Sequence, residues 1–91
     1  MLHIISNITP VILKRVNAND AVILLDNAVL NVLKNNQYQE QLHSLKQLYV
    51  LNEHLTERGI LKQEILEHIN IIDYSDFVQL TVEYHPIQTW T

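Results

Sequence analysis

Ala21-Val22-Ile23-Leu24-Leu25 is apolar at every position, with Asp20 before it and Asp26-Asn27 after it. A strand with one face in water alternates apolar and polar residues, because successive side chains point to opposite faces. A run without a polar member needs cover on both faces, as inside a parallel sheet. Three further runs, Leu2–Ile5, Gln47–Leu51 and Ile69–Ile72, are nearly continuous in Ile, Leu and Val. Amphipathic segments separate the four. The result is the β-α-β-α order of a doubly wound α/β fold with right-handed crossovers and a mostly parallel sheet of four to five strands.

The connecting segments carry helix signals. Thr9 as N-cap with Pro10 at the first position predicts a helix to about Val16. Ala28–Lys34, after Asp26-Asn27, reads as a second helix, with Asn31, Lys34 and Asn35 opposite Ala28, Val29, Leu30, Val32 and Leu33. One or two helical turns are expected near Gln39 to Leu45. Asn52 reads as the cap of a helix that closes at Gly59 in a left-handed C′ position. Leu61–His68 has a weaker helical pattern. The last helix is expected from Ser75 to about Tyr84, where His85-Pro86 halts it, and Ile87-Gln88-Thr89-Trp90 adds a short edge strand. In that last helix Asp76, Gln79 and Glu83 form one narrow polar stripe, and Phe77, Val78, Leu80, Val82 and Tyr84 fill most of the circumference. An apolar arc wider than about 100° is covered on more than one side, by neighbouring helices of its own layer or by another chain.

Composition bears on the same question. The 91 residues amount to a single domain, 1–91, of which 47% are apolar and only 18% charged. An average soluble domain carries roughly 25% charged residues, and a small one has more surface per residue to keep wet. Either a partner covers part of the surface, or Asn, Gln, Ser and Thr supply the polar coat. The net charge is −4, and the six cations (Lys14, Arg15, Lys34, Lys46, Arg58, Lys62) are scattered. Nucleic-acid affinity comes largely from clustered cations, so direct nucleic-acid binding is disfavoured. No apolar run reaches the 18 residues of a membrane span. Met1-Leu2-His3-Ile4-Ile5 lacks the basic region and cleavage site of a leader, which makes the cytoplasm the expected location. The sequence contains no cysteine, so it offers no disulfide and no thiolate chemistry.

Open parallel sheets build sites at the carboxyl ends of their strands, here Ser6-Asn7, Asp26-Asn27, Asn52-Glu53 and Asp73-Tyr74. Asp26 and Asp73 could share a metal or accept a phosphoryl group, but a receiver site also wants a lysine at the end of a late strand, and Lys46 opens the third. The commoner role for such aspartates is turn or helix entry. The histidines (His3, His43, His54, His68, His85) show no HExxH and no i, i+4 pair, and His3 reads as a satisfied core or strand-end residue. With Gly59 as the only glycine there is no phosphate-cradling loop and no nucleophile elbow around Ser6, Ser44 or Ser75. No catalytic, cofactor-binding or metal-ligating residue is expected, and no cofactor.

Ile72-Asp73-Tyr74-Ser75-Asp76-Phe77-Val78-Gln79-Leu80-Thr81, followed by His85-Pro86 and Gln88-Thr89-Trp90, resembles the C-terminal signature of the TusB/DsrH family. Leu48 to Gly59 is similar to its central strand-helix segment, and Met1-Leu2-His3 to its start. At Asp26-Asn27-Ala28 the family has an acidic residue followed by glycine, which leaves the conformation of this turn open. The resemblance implies a three-layer α/β/α sandwich of the DsrE/DsrF/DsrH type. It further implies an accessory, non-catalytic subunit of a sulfurtransferase complex for 2-thiolation of the tRNA wobble uridine. TusC-like and TusD-like paralogues would complete a heterohexamer, linked indirectly to TusE-like and TusA-like carriers. Candidate partner-facing residues are Phe77, Val78, Val82, Tyr84 and Trp90, because aromatics are enriched at interface cores. Two alternatives are a small metal-dependent aspartate enzyme or receiver using Asp26 and Asp73, and a self-associating homo-oligomer, including a homodimer of the isolated chain.

Overall fold

The computed structural model describes residues 1–34 and 36–90. β1 (Leu2–Ile5), β2 (Ala21–Leu24), β3 (Gln47–Leu51) and β4 (Asn70–Ile72) fall on the four apolar runs, and β5 (Ile87–Trp90) follows His85-Pro86. They form one sheet in the order β4-β3-β2-β1-β5, and every pairing is parallel. β2, the strand without a polar residue, takes the centre and is buried at all four positions.

That order decides how the faces are covered. From β1 to β4 each connection steps one strand towards the same edge, and the last connection returns across the whole sheet to β5. Right-handed crossovers therefore place the first three connections on one face and the fourth on the other. On the first face Ile5, Val22, Leu24, Leu48 and Val50 lie under Ile12 of α1 (Pro10–Arg15), Leu42 of α2 (Gln39–His43) and Leu55 of α3 (Asn52–Glu57). On the second, Leu2, Ala21, Ile23 and Leu51 lie under Leu80 of α4 (Tyr74–Glu83), flanked by Phe77 and Tyr84. A ten-residue helix is about 15 Å long and about 10 Å across, while five strands span roughly 19 Å. α4 alone cannot roof its face. Ile4, Tyr49 and Ile72 stay half-buried there.

The helix ends follow local chemistry. Thr9 Oγ1 accepts from the Ile12 N–H at 3.3 Å. Gly59, at φ +67°, closes α3: the Ile60 N–H reaches Leu55 O at 3.0 Å and the Gly59 N–H reaches Thr56 O at 3.1 Å, the Schellman pattern. α4 starts one residue earlier than its pattern indicates, with Asp73 as N-cap.

Two expected helices are absent. Ala28–Lys34 is not α-helical; a 3₁₀ segment spans Asp26–Val32 instead. Its asparagines and β-branched valines are weak helix formers. The three-residue period also aligns Val29 with Val32 in the core. Leu30 is consequently left 46% exposed. Asn35, assigned to that helix's polar side, lies outside the described residues. Within Leu61–His68 only Lys62–Glu64 forms a 3₁₀ turn. The backbone around it is committed elsewhere: Ile65 bridges Leu33, the Leu66 N–H bonds Val32 O at 2.9 Å, and the Lys34 N–H bonds Glu64 O at 3.0 Å.

Candidate functional site

The loop after β3 turns to one face and the loop after β4 to the other, so the crevice favoured by ligands in such sheets lies between these two strand ends. His54 of α3 and Tyr74 of α4 meet across it, with Nε2 and Oη 3.1 Å apart and the rings edge to face. His54 Nδ1 accepts the Asp26 N–H at 2.9 Å. An acceptor nitrogen carries no proton, so the ring is neutral and Nε2–H donates to Tyr74. The Asp26 carboxylate 3.7 Å from the same Nδ1 is therefore not an ion-pair partner.

The other strand-end groups have separate surroundings. The Arg58 guanidinium donates to Asn27 Oδ1 at 3.3 Å. Asp73 Oδ1 accepts the Asp76 N–H at 2.9 Å, the helix-entry role. Glu53 Oε2 is buried without a hydrogen-bond partner among the described residues, in the first turn of α3 where the helix dipole favours an anion. Asp73 serves its own helix while the Asp26 carboxylate is exposed, Lys46 lies at the opposite, amino-terminal end of β3, and the described residues contain no group of three His, Asp or Glu able to hold a metal.

At the amino-terminal end of the sheet, His3 is 1% exposed and both ring nitrogens are used. Nδ1 accepts from Trp90 Nε1–H at 3.0 Å, and Nε2–H donates to Asp20 Oδ2 at 2.8 Å. Burial pushes the Asp20 carboxyl up, but the His3 hydrogen bond, the Asn17 N–H and the Met1 amino group outweigh it and hold the carboxyl below its ordinary value. His68 packs against His43 with ring centroids 4.8 Å apart and bonds Leu42 O at 2.9 Å. The two rings border a shallow groove of about 380 Å³ with Lys34, Gln39, Leu66 and Glu67.

α4 presents two apolar sides. Phe77, Leu80 and Tyr84 face the sheet, and the Tyr84 hydroxyl donates to Gln47 Oε1. Tyr74, Val78 and Val82, spaced i, i+4, i+8, stay 50%, 59% and 63% exposed. Ile87, level with Leu2 in the parallel ladder and so on the same face, is 40% exposed.

The crevice at the ends of β3 and β4 thus lies beside an uncovered apolar stripe on α4. The sequence model of the family described as DsrH like protein matches residues 5–87. The chain belongs to the DsrH-like family. Relatives named Protein TusB are 38% identical in Shigella flexneri and 36% identical in Escherichia coli strain K12, each over 80 residues covering 87% of this chain and 83% of the relative. Among solved structures, MTH1491 of Methanobacterium thermoautotrophicum, described as a protein of unknown function, superposes with a TM-score of 0.77 at 11% identity, over 98% of this chain and 96% of that one. Tm0979 of Thermotoga maritima gives 0.64 at 20% identity, over 91% and 93%. Both share the fold.

The Asp26-Asn27-Ala28 turn, whose conformation the sequence left open, is formed without a glycine. The positive φ, +48°, falls on Asp26 rather than on Asn27, so no glycine is needed at the second position. Of the five candidate partner-facing residues, Val78 and Val82 are on the open surface of α4. Phe77 and Tyr84 are half-buried against the sheet, and Trp90 packs on the opposite face. Tyr74 and Ile87 were not among the sequence candidates. The 74/78/82 spacing was available in the sequence, but the burial that separates outer from inner positions was not.

Proposed function

We propose that this chain is a non-catalytic subunit of a sulfurtransferase complex that relays sulfur for 2-thiolation of the tRNA wobble uridine. The carrying observation is a DsrH-like domain, kin to proteins named TusB, whose 91 residues contain no cysteine. Sulfur is passed as a persulfide on a low-pKa cysteine, because the thiolate both accepts and transfers it. Such a subunit contributes through contacts, while a TusD-like partner carries the persulfide. Residues 1–91 act as one domain in the cytoplasm, joined to TusC-like and TusD-like paralogues with two copies of each in a heterohexamer. TusE-like and TusA-like carriers connect to the complex indirectly. Phe77, Val78, Val82 and Tyr84, together with Trp90, are the candidate contact residues, and the partial roof of α4 supports that reading.

Co-expression with the TusC-like and TusD-like paralogues of the same genome tests it. All three chains are expected to co-purify at near-equal stoichiometry. A chain that stays monomeric beside both paralogues, or that carries a labile sulfane adduct by itself, would overturn the proposal.

A further inference from the structure

The charge distribution identifies what kind of surface α4 accepts. All six Lys and Arg lie at or before Lys62; from residue 63 onward the chain holds Glu64, Glu67, Asp73, Asp76 and Glu83 and no Lys or Arg. That segment supplies both α4 and β5, so the cover of the open face is purely acidic.

Within α4 the imbalance is local. The outer stripe of Tyr74, Val78 and Val82 is bordered by Gln79 and Glu83, whose side chains are hydrogen-bonded at 2.8 Å. Glu83 stands in the last helical turn, where the helix dipole disfavours an anion, and that turn contains no basic residue. Asp73 and Asp76 are settled by the amino terminus of the helix; Glu83 has no such compensation.

A second copy packed through the same face cannot provide it. Antiparallel packing of α4 on α4 around Val78 brings Tyr74 to Val82 but also Glu83 to the acidic first turn of the other copy. Parallel packing sets Glu83 beside Glu83. Like charges facing each other across an interface are strongly disfavoured. We infer that the α4 face docks a different chain, one that presents an apolar patch rimmed by Lys or Arg, in preference to a second copy packed through the same face. This inference rests on the reading of the chain as a subunit and adds the chemistry by which that subunit selects its partner.

The test uses the full chain with its two paralogues, comparing wild type, Glu83→Lys and Val78→Asp by calorimetric titration at two salt concentrations. Wild-type affinity is expected to fall as NaCl rises from about 50 to about 500 mM, as screening of rim charges requires. Glu83→Lys should weaken binding roughly tenfold at the lower salt and flatten that dependence. It should leave the isolated chain as stable or slightly more stable, a readout that separates lost recognition from lost folding. Val78→Asp, at an exposed position, should keep the native circular dichroism and weaken binding roughly a hundredfold. A complex that tolerates both substitutions sinks the inference and leaves the subunit reading standing; no complex with either paralogue removes both. Dimerisation of the isolated wild-type chain that Val78→Asp abolishes would overturn the preference for a different chain.

Discussion

Trp90 donates its indole N–H to the buried Nδ1 of His3 at 3.0 Å, joining residues 87 positions apart. The rings lie 6.3 Å apart and nearly parallel. β5 is an edge strand whose Ile87, Gln88 and Thr89 are exposed, so its position depends on the ladder to β1 and on this one anchor. Because Nδ1 accepts, Nε2–H is fixed as the donor to Asp20. A single proton position on His3 thus ties together β1, β5 and the loop before β2.

Trp90→Phe keeps an aromatic ring but removes the N–H, leaving a buried imidazole nitrogen unpaired. That loss costs about 1–3 kcal/mol. Urea unfolding followed by circular dichroism should show the lower midpoint with an unchanged slope, since the sole tryptophan is no longer available as a probe. A variant indistinguishable from wild type would show that the bond does not hold β5.

Asp20 sets the acid limit of the fold. Its carboxyl is held below its ordinary value: burial opposes this, and the His3 hydrogen bond, the Asn17 N–H and the Met1 amino group prevail. A depressed carboxylate stabilises the fold above its unfolded pKa, and the contribution disappears as pH falls through the lower folded value. Stability should therefore drop below about pH 4. His3 Nε2–H and the Asn17 N–H share the one oxygen Oδ2, so Asp20→Asn retains an acceptor for both but cannot titrate, and urea midpoints from about pH 6 to about pH 2 should give a flatter acid limb. An equally steep limb in the variant would assign the acid sensitivity to other carboxylates.

Tyr49 behaves in the opposite sense on the α4 face. Burial raises its pKa, and neighbouring Tyr84, the hydrogen bond between them and the charge of Glu83 push the same way. A raised phenol keeps its proton in the fold after the unfolded chain has released it, so stability is full below the unfolded value and falls above about pH 10. Tyr49→Phe should remove part of that alkaline loss. Ultraviolet titration of phenolate should show a late-ionising component in the native wild type that shrinks in the variant.

Strand identity was legible because burial on both faces leaves no polar residue in β2 and few in β1, β3 and β4. The sheet order was not legible, since right-handed crossovers fix handedness but not which edge receives β5. The helical readings of Ala28–Lys34 and Leu61–His68 failed for a shared reason. An apolar period registers burial, and here burial came from pairing Leu33 with Ile65 and Val32 with Leu66, which lie far apart in sequence. The helix-entry role of Asp73 was readable from residue type alone. The His54–Tyr74 contact was not, because His54 showed no local spacing that pointed to a partner 20 residues away.

The Asp26-Asn27 turn yields a prediction that separates backbone geometry from family resemblance. Relatives are expected to carry glycine at the second position, yet the left-handed residue here is Asp26, at φ +48°. Asn27→Gly therefore relieves no strain. It frees an additional conformer in the unfolded chain and removes the Oδ1 that accepts from Arg58, so it should lower stability by roughly 0.5–1 kcal/mol. Asp26→Ala should also destabilise, by about 1 kcal/mol, because alanine enters the left-handed region less readily than aspartate. Thermal unfolding of both variants checks the pair. If Asn27→Gly instead raises the midpoint, position 27 rather than 26 carries the left-handed strain.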